Sequence, residues 1–103
     1  MTNPPDTQII ESENATLTVQ IVFHLTEIMA RYRVSVNALS DEMGVSTTSI
    51  TQWRKGKTKP GLDRINEVMA ALLKIGDQGQ LRAFPLDLSD VLEWRVNKTD
   101  KLN

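Results

Sequence analysis

Residues Leu39–Pro60 read LSDEMGVSTTSITQWRKGKTKP, and this stretch decides the fold. It holds two short helix signals on either side of a glycine. Ser35 can cap a helix that runs from Val36 to about Met43 and stops at Gly44, a residue suited to the left-handed conformation after a helix. Val45 can then turn into the core, and Ser46 is a second N-cap, opening a helix that should end at Gly56. On that second helix Thr47, Thr48, Thr51 and Gln52 fall at about 0°, 100°, 40° and 140°, whereas Ile50 and Trp53 fall near 300° and 240°. One face is apolar; the other is short, polar and free of carboxylates.

Such a polar face has the chemistry that reading a DNA major groove requires. Gln pairs in bidentate fashion with adenine, and Thr offers a hydroxyl and a methyl that can contact thymine. Arg54, Lys55, Lys57 and Lys59 follow at once, where they can neutralise backbone phosphates and set register. The plain alternative is an amphipathic helix whose polar side meets water. Three threonines in one short helix cost propensity that Ala, Glu or Lys would avoid, which favours the DNA reading.

Working outward, Leu17, Ile21, Leu25, Ile28 and Tyr32 recur at helical spacing and predict a helix from about Asn14 or Thr16 to Arg33. Val19, Phe23 and Ala30 fall on its opposite side, so something besides the central bundle should cover them. Beyond the motif, Pro60 and Gly61 punctuate the chain. Leu62, Ile65, Val68, Met69, Leu72 and Leu73 then define an amphipathic helix that fades near Gly76. After a polar DQGQ linker, Pro85 forbids one continuous helix across residues 81–96. The expectation there is an extended piece followed by a short helix, capped by Asp87 or Ser89 and burying Val91, Leu92 and Trp94. Residues 1–14, with a Pro pair and no periodicity, read as a flexible tail, and the last residues as frayed.

Bulk properties narrow the class. A chain of 103 residues fits about one domain. Its 40% hydrophobic and 24% charged residues are those of an ordinary globule. No apolar run approaches the roughly 18–20 residues that span a bilayer, and residues 1–14 do not resemble a signal peptide, so the expected location is the cytoplasm. The absence of cysteine removes disulfides, thiolate metal sites and cysteine nucleophiles. The net charge of −1 argues at first against nucleic acid, but its distribution matters more. Between Ala30 and Gly61 six basic residues (Arg31, Arg33, Arg54, Lys55, Lys57, Lys59) stand against Asp41 and Glu42, while the rest of the chain carries six basic and eleven acidic residues. One basic face can thus attract phosphates while the remaining surface repels them.

The spacing resembles the phage-repressor and Cro-like helix-turn-helix family, also called the XRE family. The elements are Leu39, Ser40, Gly44, Val45, Ser46, Ile50 and the exit Gly56, Lys57 and Pro60, and the likeness covers roughly residues 22–73. Position by position, it implies base contacts from Thr47, Thr48, Thr51 and Gln52, with phosphate contacts from Ser46, Lys55, Lys57 and Lys59. Two departures stand out. Val36 occupies a position where the family often has a polar phosphate contact, for which Asn37 can substitute. Arg54 replaces a commonly acidic residue; with no acidic partner in the motif, it is expected to add to phosphate attraction.

Other residues read more plainly. Trp53 shares the phase of Ile50 and should pack in the core rather than stack on a base. Trp94 fits either a dimer interface or a cover over the bundle. His24 lacks the neighbours of a metal ligand, and Asp41 and Glu42 lack the pocket of a catalytic pair. No catalytic residues, metal or cofactor are therefore expected. The expected protein is all-α, a bundle of four to five helices. It comprises a tail (1–14), a DNA-binding domain (15–76, recognition helix about 47–55) and an extension (77–103) suited to dimerisation. The expected role is a homodimeric transcriptional regulator, a repressor, on double-stranded DNA. The alternative is an antitoxin-type module that neutralises a protein partner and represses its own promoter.

Overall fold

The computed structural model describes residues 7–100. Strand β1 (Gln8–Glu11) turns into strand β2 (Ala15–Phe23), and helices α1 (Leu25–Arg31), α2 (Val36–Met43), α3 (Thr47–Lys55) and α4 (Leu62–Ile75) follow. Two short helices, α5 (Gln78–Ala83) and α6 (Leu88–Val91), lead into strand β3 (Leu92–Asp100). The strands form one antiparallel sheet in the order β1-β2-β3. Residues 8–11 of the expected tail are therefore an edge strand and 12–14 connect it to β2; the part of that expectation at 1–6 lies outside the described residues, as do 101–103.

The all-α expectation is overturned: six helices and a three-stranded sheet among the described residues make an α+β fold. The error lies in the period. A spacing of four, as in Leu17, Ile21 and Leu25, fits a helical turn and a strand equally well, because four is both near 3.6 and a multiple of two. Val19 and Phe23, set aside as a second helical face, fill the remaining odd positions of a strict alternation from Leu17 to Phe23. With Thr16, Thr18 and Val22 between them, the segment is rich in the β-branched residues that fit a pleated surface. The same alternation, Leu92, Trp94 and Val96 against Glu93, Arg95 and Asn97, makes residues 92–100 a strand instead of the expected helix face and frayed end.

The helical motif matches expectation closely. The Ser35 hydroxyl accepts from the Ala38 amide at 3.0 Å, and that of Ser46 from the Ser49 amide at 3.1 Å. Gly44 (φ 69°) and Gly56 (φ 73°) end α2 and α3 in the left-handed region. At the second of these the Gly56 and Lys57 amides bond back to the Trp53 and Gln52 carbonyls at 3.2 and 3.0 Å, closing the last turn. Helix α2 packs on α3 and α4, and α1 on α3 and α6. Leu25, Ile28, Tyr32, Leu39, Ile50, Val68, Leu72 and Val91 are sealed in the shared core.

The extension is bound to this bundle rather than trailing from it. Asp77, expected in a linker, caps α5 by accepting from the Gln80 amide at 3.0 Å. The Tyr32 hydroxyl donates to the Phe84 carbonyl at 2.6 Å, and the Gln80 amide group to the Arg31 carbonyl at 3.1 Å. Beyond Pro85, α6, with its Asp87–Asp90 capping box, buries Val91 in the core. From there β3 pairs with β2 over its length, Phe23 opposite Leu92 and Val19 opposite Val96. The C-terminal segment thus pairs edge to edge with the strand that carries Val19 and Phe23, within one subunit.

Candidate nucleic-acid interface

Helix α3 owes its two faces to three residues. Ile50 (0% exposed) and Trp53 (7%) are pulled inward by the core, and the Ser46 cap fixes where the first turn begins. Thr47 and Thr48 consequently stand exposed beside Ser46, while Thr51 and Gln52 are half-buried at the border of the same polar side. No carboxylate occurs between Ser46 and Pro60, so nothing on this helix repels a phosphate.

The cations divide into two groups that sequence order alone did not separate. Arg54, Lys55 and Lys57 are exposed at the end of α3 and in the turn beyond it, with Lys59 half-buried close by. Among the described residues the Arg54 guanidinium meets no carboxylate; it lies 3.4 Å from the Thr26 hydroxyl, which in turn donates to the Arg54 carbonyl at 3.4 Å. Arg31 and Arg33 belong elsewhere, paired with Asp90 (3.5 Å) and Asp77 (3.4 Å) of the extension. The local positive charge is therefore concentrated at the C-terminal end of α3. Glu42, counted against it in the sequence, is drawn off by Lys74 at 2.9 Å.

Beside this end of α3 lies a cleft of about 350 Å³, with the basic Arg54, Lys55, Lys59 and Arg95, the acidic Glu27, and Gln20, His24 and the apolar Ile21, Val22 and Phe23 in its lining. Gln20 and Arg95 are paired neighbours on the polar face of the sheet. A smaller depression next to it brings Thr26 against Thr51, Arg54 and Lys55. Sequence reasoning missed Gln20, Thr26 and Arg95, and no local signal could have found them: Arg95 reaches the cleft only because β3 pairs with a strand more than seventy residues earlier in the chain.

His24 sits at the junction between sheet and bundle, with Nδ1 3.2 Å from Glu27 and Nε2 2.7 Å from Glu93. Arg95 donates to the same Glu93 from Nε and Nη2 at 3.1 and 3.0 Å. These hydrogen bonds, from Arg95 first and His24 second, hold the Glu93 carboxyl at about 2. His24 is thus a bridging residue satisfied by two carboxylates. Asp41 is exposed on α2, and Glu42 is paired with Lys74. Among the described residues no helix is long and apolar enough to cross a membrane.

No curated protein and no solved structure matches the chain. A family model, that of the Cro/C1-type HTH DNA-binding domain, matches residues 24–77, just over half the chain. The matched span opens at His24, after β2, and closes at Asp77, the cap of α5, so it coincides with α1 to α4. With the two capped helices, the left-handed glycine between them and the polar outer face of α3, this chain belongs to the Cro/C1-type helix-turn-helix DNA-binding family.

Proposed function

We propose that this protein is a cytoplasmic, sequence-specific transcriptional repressor that lays α3 in the major groove of double-stranded DNA and works as a homodimer. Thr47, Thr48, Thr51 and Gln52 meet base edges, while Ser46, Arg54, Lys55, Lys57 and Lys59 hold the flanking phosphates. One observation carries this reading: Ile50 and Trp53 are sealed in the core while Thr47 and Thr48 stand exposed, directly ahead of exposed Lys55 and Lys57. Hydroxyl and amide groups read bases, and lysines at the helix end fix register on the backbone. Two copies reading half-sites about 34 Å apart, or a multiple of it, would give a pseudo-palindromic operator.

The test is selection of bound duplexes from a random pool. An enriched sequence of two inverted half-sites at that spacing is the expected result, together with an affinity that falls steeply with salt. A pool that stays random at every salt concentration rejects the reading.

A further inference from the structure

The sheet has two unlike faces. Side chains alternate across a strand, so the odd positions of β2 share a face with their partners: Ile10 and Leu17, Val19 and Val96, Ile21 and Trp94. At the end nearest the bundle, Phe23 of that face is buried and Leu92 partly so. Farther out the face opens to solvent, with Trp94 67% exposed and Ile10, Ile21 and Val96 each 43–45% exposed. The opposite face is mostly polar, with Glu93, Arg95, Gln20, Thr18 and Asn97 beside the apolar Ile9 and Val22.

We propose that the open apolar face is the homodimer interface, Trp94 of each copy seating in a depression on the other. This inference rests on the dimeric DNA reading above for its purpose but on the sheet for its evidence. Next to Trp94 the face is dished, a depression of about 350 Å³ bordered by Gln8, Ile10, Val19, Gln20, Ile21 and Trp94 itself. A protruding aromatic and a hollow on one surface are what a two-fold contact uses, because each copy then supplies both halves. Charge points the same way. Residues close to a two-fold axis meet their own counterparts, so any charge there faces its like; the patch from Ile10 to Val96 carries none, and Lys98 lies at its far end opposite Leu17. Aromatic residues in such central positions dominate binding energy.

Size sets the strength of such a contact. Strand spacing and rise give a footprint on the order of 300 Å² per copy, below the range of stable specific interfaces and in that of weak, transient contacts. The dimer is therefore weak in solution and completed on DNA, where adjacent half-sites raise the effective concentration.

Sedimentation of the full chain across a concentration series, with and without a duplex carrying two half-sites, tests this, alongside Trp94→Glu and Ile21→Lys. The native chain is expected to shift from monomer to dimer with concentration and to fill the second half-site cooperatively. Both variants are expected to stay monomeric, with the dimer dissociation constant raised about 30-fold or more, while binding a single half-site as the native chain does. Unchanged thermal unfolding of the variants at low concentration shows that they fold. Native-like dimerisation in both variants places the interface elsewhere and overturns the inference. So does a native chain that neither dimerises nor binds cooperatively, the result expected if other residues of the chain or a foreign protein cover the face. If no duplex is bound yet the native chain dimerises through Trp94, the DNA reading fails and the interface stands.

Discussion

Helix α3 and strand β2 are written in nearly the same letters, TTSITQW against TLTVQIVF, yet one folds as a helix and the other as a strand. The difference lies in what surrounds them. Ser46 and Gly56 mark the ends of α3 within ten residues, and Ile50 and Trp53, three apart, give it one inward stripe. In β2 every second residue is apolar, so only a pleated strand gathers Leu17, Val19, Ile21 and Phe23 on one side. Local signals suffice for the helix. The strand depends on a partner whose residue Asn97 accepts a bond from Thr18, 79 positions away.

The contrast can be broken most sharply at the core. Ile50→Ala is expected to lower unfolding free energy by about 2–5 kcal/mol, read as a drop in the urea midpoint. Trp94→Ala at concentrations that hold the monomer should stay within about 0.5 kcal/mol of the native chain. Equal losses would mean that the sheet face is as buried as the helix core.

A second pair of substitutions divides reading from positioning within the motif. Gln52→Ala should relax preference at one base position at a cost of about 1–3 kcal/mol against the preferred sequence only. Lys57→Ala should weaken every duplex alike and lower the salt slope by about one. Should Gln52→Ala weaken all sequences equally, the half-buried amide acts in the fold and not on a base.

Backbone geometry supplies a smaller effect. Gly56 holds φ 73°, with no atom within 4 Å of where a Cβ would stand, so Gly56→Ala adds strain without a clash and should cost about 1 kcal/mol. Calorimetry showing no loss would mean that α3 ends otherwise. The smallest effect belongs to the sheet junction. Glu93 titrates at about 2 when folded, against an ordinary 4.5. A lowered folded value stabilises the native state above the ordinary one, and that contribution disappears as pH falls toward 2. The melting temperature of the native chain should therefore fall more steeply between pH 5 and 2 than that of Glu93→Gln; parallel curves would show that His24 and Arg95 do not grip the carboxylate.

The helical half of this protein was legible because its instructions are near neighbours. Ser35, Gly44, Ser46 and Gly56 set both ends of α2 and α3 through contacts within five residues, and the family likeness rests on that same spacing. The split of the cations was not legible: Arg31 and Arg33 sit close in sequence to the motif, yet Asp90 and Asp77 claim them once α5 and α6 fold back. Nor was the sheet, since the four-residue spacing of Leu17, Ile21 and Leu25 satisfies two periods at once.

By itself, then, the order of residues determined the helix-turn-helix, its inward pair Ile50 and Trp53 and its outward threonines, because caps, left-handed glycines and a 3.6-residue stripe act over a single turn of chain. Tertiary structure alone decided that residues 8–23 and 92–100 meet in one sheet, that Arg95 and Gln20 join the cleft beside α3, and that Trp94 stands in solvent on an apolar face. Those outcomes follow from strand pairing, in which each hydrogen bond has its partner on a distant segment and neither segment carries the other's register.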